Sequence, residues 1–302
     1  MTINFNDKVA IVTGAGTGLG RSHAMQLAAR GANVVVNDFG GAVDGTGASA
    51  TAAEQVVAEI EQAGGTAIAN GANVTDEAQV ADMVASAIEK WGRVDVLINN
   101  AGILRDKSFA KMEPSNWRAV VDVHLNGSAW CSMAVWPHMR EQGFGRIVMT
   151  TSTSGIYGNF GQANYGAAKC GVVGLMNVLH AEGQKYNIRV NCVSPTAATR
   201  MTEDLLPEAA LAQLAPENVT PAVLYLASDD APDRTIMLAG AGCYTVAKLI
   251  EAEGIYLPPG ERTPEAIASR YEEITDMTGA REMINGNEHV TKIVEKAIAA
   301  GA

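Results

Sequence analysis

Three side chains stand at spacings that suit proton transfer: Ser152, Tyr165 thirteen positions later, and Lys169 four positions after that. On a helix the last two lie one turn apart on the same face. A phenol near pKa 10 is a poor base at neutral pH. An ammonium one turn away favours the phenolate, so the Tyr165 pKa is expected to be lowered and the side chain to take a proton from an alcohol, whose oxygen Ser152 would hold. A Tyr-x-x-x-Lys pair is also an ordinary surface contact. Its meaning rests on what else the chain carries.

Near the N-terminus, Thr13-Gly-Ala-Gly-Thr-Gly-Leu-Gly20 joins a strand-like run to a helical one. Gly14, Gly18 and Gly20 follow Gly-x-x-x-Gly-x-Gly, with Gly16, Thr17 and Leu19 filling the turn. Missing side chains let such a turn tighten and bring backbone N–H groups against a pyrophosphate at the helix N-terminus. Asp38 closes the next strand, where a carboxylate accepts from adenosine ribose hydroxyls and repels a 2′-phosphate. No Arg or Lys occurs between Arg30 and Lys90. These residues predict a bound NAD, not NADP. Its nicotinamide would accept the hydride that the alcohol carbon releases.

The elements that must position these groups are legible as alternation. Strands are predicted at Val9–Thr13, Asn33–Asp38, Thr66–Ala69, Val94–Asn99, Arg146–Thr150, Ile188–Val193 and Thr235–Ala239. Helices are predicted at Leu19–Arg30, Ala48–Ala63, Asp76–Trp91, after Pro114, and from about Gln162 to Lys185. Near-continuous apolar strands separated by helices indicate an α/β fold: a doubly wound, Rossmann-type parallel sheet with helices on both faces. Residues 1–250 are expected to form the catalytic domain, and 251–302 a helical C-terminal extension of it.

The 302 residues include 47% apolar and 18% charged types, a globular composition. The 22 basic against 33 acidic residues give −11, the wrong field for a nucleic-acid binder. Cys131, Cys170, Cys192 and Cys243 form no Cys-x-x-Cys, so neither a disulfide framework nor a metal site is expected. Met1–Lys8 is polar and leads straight into a strand, and no apolar run has membrane-spanning length. A cytoplasmic protein with no membrane partner is the expectation.

The glycine turn, Asn99-Asn-Ala-Gly102, Ser152 and Tyr165-x-x-x-Lys169 fall in order on successive strand ends, and in this the chain resembles the short-chain dehydrogenase/reductase family from Lys8 to about Ala241. The resemblance implies that Tyr165 is the acid/base, Ser152 stabilises the substrate oxygen and Lys169 meets the nicotinamide ribose. It adds Asn73, Val74, Asn100, Ala101, Gly102, Pro195 and Thr199 as cofactor contacts, and implies a homodimer or homotetramer. Family members carry an Asn that feeds a proton-relay water beside the lysine. Here that place holds His124, with Asn126 two residues on, and His124 either orients the same water or packs against the helix. The usual Pro-Gly after the sixth strand is Pro195-Thr196.

Three stretches, Val34–Gly41, Asn99–Asp106 and Ser154–Tyr165, are similar to the (3R)-hydroxyacyl-CoA dehydrogenase module of peroxisomal multifunctional enzyme type 2 and its bacterial relatives active on steroids. That similarity implies oxidation of a secondary alcohol, either a (3R)-3-hydroxyacyl-CoA or a 17β-hydroxysteroid. Arg105, Lys107 and Lys111 are candidates to meet a CoA phosphate. A dinucleotide-sensing protein without turnover typically lacks the Tyr or the Lys, and both are present.

Overall fold

The computed structural model describes residues 2–47, 51–197 and 213–301. These divide into two compact units, Met1–Val246 and Ala247–Ala302. In the first, β1 (Val9–Thr13), β2 (Asn33–Asn37), β3 (Thr66–Asn70), β4 (Val96–Asn99), β5 (Gly145–Thr150), β6 (Ile188–Pro195), β7 (Ile236–Gly240) and β8 (Cys243–Ala247) make one sheet. The order is β3-β2-β1-β4-β5-β6-β7-β8, and the ladders from β3 through β7 are parallel. The strand order reverses direction between β1 and β4, where such sheets open a crevice at their carboxyl ends.

Helices α1 (Gly18–Ala28), α2 (Thr51–Gln62), α3 (Glu77–Trp91), α4 (Pro114–Val121), α5 (Gly127–Gln142), α6 (Thr153–Ile156), α7 (Ala163–Gly183) and α8 (Thr220–Leu226) connect or flank the strands. Their ends follow local chemistry. The Asp76 carboxylate accepts from Ala78 N and Gln79 N and so caps α3, which Gly92 ends in the left-handed region. Pro114 opens α4, where its missing N–H costs nothing. Between α4 and α5 the helix widens into a π turn over Asp122–Asn126.

Alternate strand residues Ala10, Val12, Val34, Val36, Val96, Ile98 and Val148 join α1, α2 and α8 in one buried cluster. Their neighbours Ile11, Val35, Leu97, Ile147 and Met149 are equally buried on the other face. Coverage of both faces explains why the strands read as continuous apolar runs. Burying one such side chain contributes about 1.5–3 kcal/mol.

The structure departs from the sequence expectation at three places. β8 follows β7 through Ala241-Gly242, both at positive φ, a two-residue turn that forces an antiparallel return. The second unit adds to its helices a short strand pair, in which β9 (Ile250–Glu251) pairs antiparallel with β10 (Arg281–Glu282). Its helices are α9 (Pro264–Ser269), α10 (Tyr271–Ile274) and α11 (Gly286–Ala299), the last capped by Asn285. Within that unit the Lys292 ammonium meets Glu251 at 3.0 Å, and Lys296 donates to the Glu253 and Gly254 carbonyls. The expected helix to Lys185 ends at Gly183 and tightens into a 3₁₀ turn, Gln184–Tyr186. No helix among the described residues is long and apolar enough to cross a membrane.

Candidate active site

The crevice at the carboxyl ends of the strands is a cleft of about 650 Å³, within the ordinary range for small-molecule sites. Gly14, Thr17, Gly18, Leu19, Asp38, Asn73, Val74, Asn100, Ala101 and Gly102 line one part of it. His124, Ser152, Tyr165, Lys169 and Pro195 line it too. Gly16 and Gly20 are buried and do not line it, and Thr199 lies outside the described residues.

The turn between β1 and α1 is built on close approach. A Cβ on Gly20 would fall 2.2 Å from the Gly14 carbonyl oxygen and 2.5 Å from Asn100 Nδ2, and Gly14 itself sits at φ +62. Gly16 N donates to Asp38 Oδ2 at 2.8 Å, and Gly40 N to Oδ1 at 2.7 Å. No acidic residue occupies the first turn of α1, so its positive end is left to an anion. Glycine packing, helix terminus and ribose acid together fit a dinucleotide.

The far wall begins at the end of β4. Thr13 Oγ1 accepts from both Asn100 N and Ala101 N, and Asn100 Nδ2 donates back to the Thr13 and Gly14 carbonyls. Thr13, which the sequence motif did not single out, thus pins β4 to the phosphate turn. The Asn73 side chain accepts from Thr75 N and Oγ1, so it shapes its own turn in the cleft wall. Arg105 is partly committed: its Nε donates to the Asp44 carbonyl at 2.8 Å. Leu104 N likewise donates to the Val43 carbonyl, so the glycine-rich loop after β2 is tied to the loop after β4.

Ser152 caps α6, its Oγ accepting from Ser154 N. The adjoining Thr151 Oγ1 donates to the Lys169 carbonyl at 2.6 Å, locking β5 to α7. Asn164 is fully buried and donates to the Arg105 and Asn116 carbonyls, fixing the turn of α7 that carries Tyr165. Lys169 Nζ donates to the Thr150 carbonyl at 2.6 Å and stands 5.5 Å from the centre of the Tyr165 ring. Gln162 accepts from Ser154 Oγ and Asn159 Nδ2 and donates to Asp106, joining three loops around the substrate end.

The electrostatics correct one expectation. Tyr165 does not have a lowered pKa: burial raises it, against a hydrogen bond from Ser152 that lowers it. Lys169 is 3% exposed, and burial pushes its ammonium down to about 7. The assumption of a full positive charge one turn from the phenol neglected this desolvation. Asn126 does not line the cleft; its Nδ2 donates to Asp122 Oδ1 at 2.9 Å. Only His124 of the two candidates faces the cleft.

A dinucleotide cradle and a Ser-Tyr-Lys group sharing one cleft of a doubly wound sheet define an oxidoreductase acting on CH–OH groups. The chain matches the short chain dehydrogenase family over residues 8–210, and it belongs to that family. A Mycobacterium tuberculosis protein named as a short-chain type dehydrogenase/reductase is 49% identical over 278 residues, covering 91% of this chain and 96% of that one. The peroxisomal hydratase-dehydrogenase-epimerase of Saccharomyces cerevisiae is 50% identical over 277 residues. That match covers 91% of this chain but 31% of the yeast protein. The full-length peroxisomal multifunctional enzyme type 2 of Drosophila melanogaster superposes with a TM-score of 0.82 at 37% identity, covering 97% of this chain and 50% of that one. The chain therefore spans a third to a half of these multifunctional relatives.

Proposed function

We propose that the protein oxidises a (3R)-3-hydroxyacyl-CoA thioester to the 3-oxoacyl-CoA with NAD. The observation that carries the alcohol chemistry is the meeting of Ser152, Tyr165 and Lys169 in the cleft that the glycine turn enters. Tyr165 Oη, as phenolate, takes the hydroxyl proton while Ser152 Oγ donates to the substrate oxygen; the carbinol C–H becomes the hydride. Bound NAD supplies the hydride acceptor. Asp38, its two oxygens oriented by Gly16 N and Gly40 N, supports NAD over NADP. The yeast relative's name pairs a hydratase with a dehydrogenase, and hydration of a double bond yields the kind of secondary alcohol that a dehydrogenase oxidises. Lys107 and Lys111 are exposed beside the loop that Gln162 organises and suit a CoA phosphate.

The test is NADH formation on (3R)- and (3S)-hydroxyacyl-CoA thioesters and 17β-hydroxysteroids, with NAD and NADP compared. Turnover of the (3R) thioester with NAD is expected. Selective turnover of the steroid would replace the thioester reading. Enzymes of this family are typically oligomeric, and we propose a homodimer or homotetramer through α5 and α7, which expose Met133 and Val178. A monomeric mass by light scattering would remove that assembly.

A further inference from the structure

The glycine-rich loop between β2 and α2 does not stand free at the cleft mouth. Its tip meets the loop that follows β4. Leu104 N donates to the Val43 carbonyl at 3.0 Å, and Arg105 Nε donates to the Asp44 carbonyl at 2.8 Å. Beside these bonds Gly45 packs on the buried Ile103: a Cβ at position 45 would fall 3.2 Å from two of its side-chain carbons. Val43, Gly45, Ile103, Leu104 and Arg105 all line the cleft.

β2 and β4 flank β1 in the sheet. For their loops to touch, they reach across the carboxyl end of β1 and the phosphate turn that follows it. The contact is a strap over that turn, with Asp38 toward one end of the cleft and Tyr165 and Lys169 toward the other. The loop holds its own shape. Gly40 N donates to Asp38 Oδ1, Ala42 N to the Thr46 carbonyl at 2.7 Å, and both Thr46 N and Thr46 Oγ1 to Asp44 Oδ1. Its outer side faces water, with Ala42, Asp44, Thr46 and Gly47 exposed. A preformed loop fastened at its tip by two hydrogen bonds and one apolar contact opens far more easily than the sheet beneath it.

We propose that Arg105 is a positioning residue: it latches the loop 40–47 as a strap over the pyrophosphate of the bound dinucleotide, and the reduced cofactor leaves only when that latch opens. The proposal rests on the reading of this cleft as a dinucleotide site. A wall opposite the glycine turn keeps water from the anion, and hydrogen bonds from the turn are stronger where water is excluded. The effect therefore falls on binding and release of the cofactor. Arg105 is committed to that loop, and Lys107 and Lys111 remain for the phosphates of the substrate.

Two variants open and close the latch. Arg105→Met removes the donor and keeps the apolar stem. It is expected to speed NADH release, followed by stopped-flow displacement, on the order of tenfold, the worth of one hydrogen bond from a charged group. Binding of ADP-ribose, which lacks the nicotinamide, should weaken by a similar factor, while the affinity for free CoA keeps its parental value. In Gly45→Cys/Ile103→Cys the two Cβ atoms would stand 3.8 Å apart, the usual spacing in a disulfide. With NADH loaded and oxidised glutathione added, that pair is expected to close and to hold NADH far longer than its reduced form does, and dithiothreitol should restore release. Comparing the oxidised and reduced forms of one variant cancels whatever the substitutions cost the loop, and the parent treated alike controls for the exposed Cys170 and Cys243.

Parental release in Arg105→Met, a loss of CoA binding in its place, no disulfide in the cysteine pair, or undiminished release once it has formed would each overturn the proposal. A parent that binds neither NADH nor NADPH defeats the dinucleotide reading itself. That result is distinct from a parent that binds NADH and an Arg105→Met that releases it no faster, which defeats only the strap.

Discussion

The Gly16 amide donates to Asp38 Oδ2 across 2.8 Å, so the phosphate turn and the acid at the end of β2 form one unit. A side chain at position 16 would meet that carboxylate at 2.7 Å. The carboxylate is therefore oriented before any ribose arrives, in the wall of the cleft it lines.

From this, Asp38→Ala is expected to lower kcat/KM with NAD by roughly 10- to 100-fold, the worth of charge-assisted hydrogen bonds. The same variant should use NADP better than the parent, because the repulsion of a 2′-phosphate is gone. Initial rates with both cofactors measure this. A parent enzyme that prefers NADP would contradict the role given to Asp38.

Tyr165→Phe should reduce turnover by about 10²- to 10⁴-fold, the usual contribution of a positioned acid/base. Since burial raises the Tyr165 pKa, the phenol is protonated across the neutral range. Alcohol oxidation, which needs the phenolate, should rise steadily from about pH 7 to about pH 9, while ketone reduction should gain nothing. A pH-independent oxidation rate in the parent enzyme would argue against Tyr165 as base.

Lys169 links the site to stability. Its pKa falls from 10.5 to about 7 on folding, so between those values the unfolded chain binds more protons than the folded one. Stability must then rise as pH climbs through that window, with the destabilisation fully present below it. Urea melts between about pH 7 and about pH 8.5 should show this gain in the parent, and Lys169→Met should show a flatter dependence. An equal slope in both would mean that Lys169 does not carry it.

Arg146 makes a prediction outside the cleft. It is 1% exposed, yet its guanidinium donates to the carbonyls of Gly145, Asn187, Ser228 and Asp229 and stacks on Phe144. Arg146→Met takes the guanidinium from all four carbonyls, of which Asn187 and Ser228 each keep a backbone donor, and should cost about 1–3 kcal/mol by urea denaturation. Arg146→Lys, with three donors on one nitrogen, should recover only part of this. A loss below about 1 kcal/mol in Arg146→Met would show that the carbonyls find other partners.

The chain itself determined what depends on neighbours in sequence. Apolar runs of strand length, the cap at Asp76, the glycine spacing at 14, 18 and 20 and the one-turn step from Tyr165 to Lys169 are all local, and each lies where the spacing puts it. Asp38 belongs with them, since it follows β2 directly. Tertiary structure decided whatever depends on burial or on residues far apart. The Tyr165 pKa turns upward because desolvation outweighs the hydrogen bond from Ser152, and no spacing reports a dielectric. The His124 ring is oriented only because Ile103, 21 positions away, engages Nε2 through both its carbonyl and its amide. Arg105 meets Asp44 across 61 positions, and Thr13 meets Ala101 across 88. The short strands β9 and β10 lack the apolar alternation that marks a buried sheet face, so only their pairing defines them. Local periodicity chooses the elements; the desolvation and long-range hydrogen bonds created when they pack set the protonation and reach of each group in the cleft.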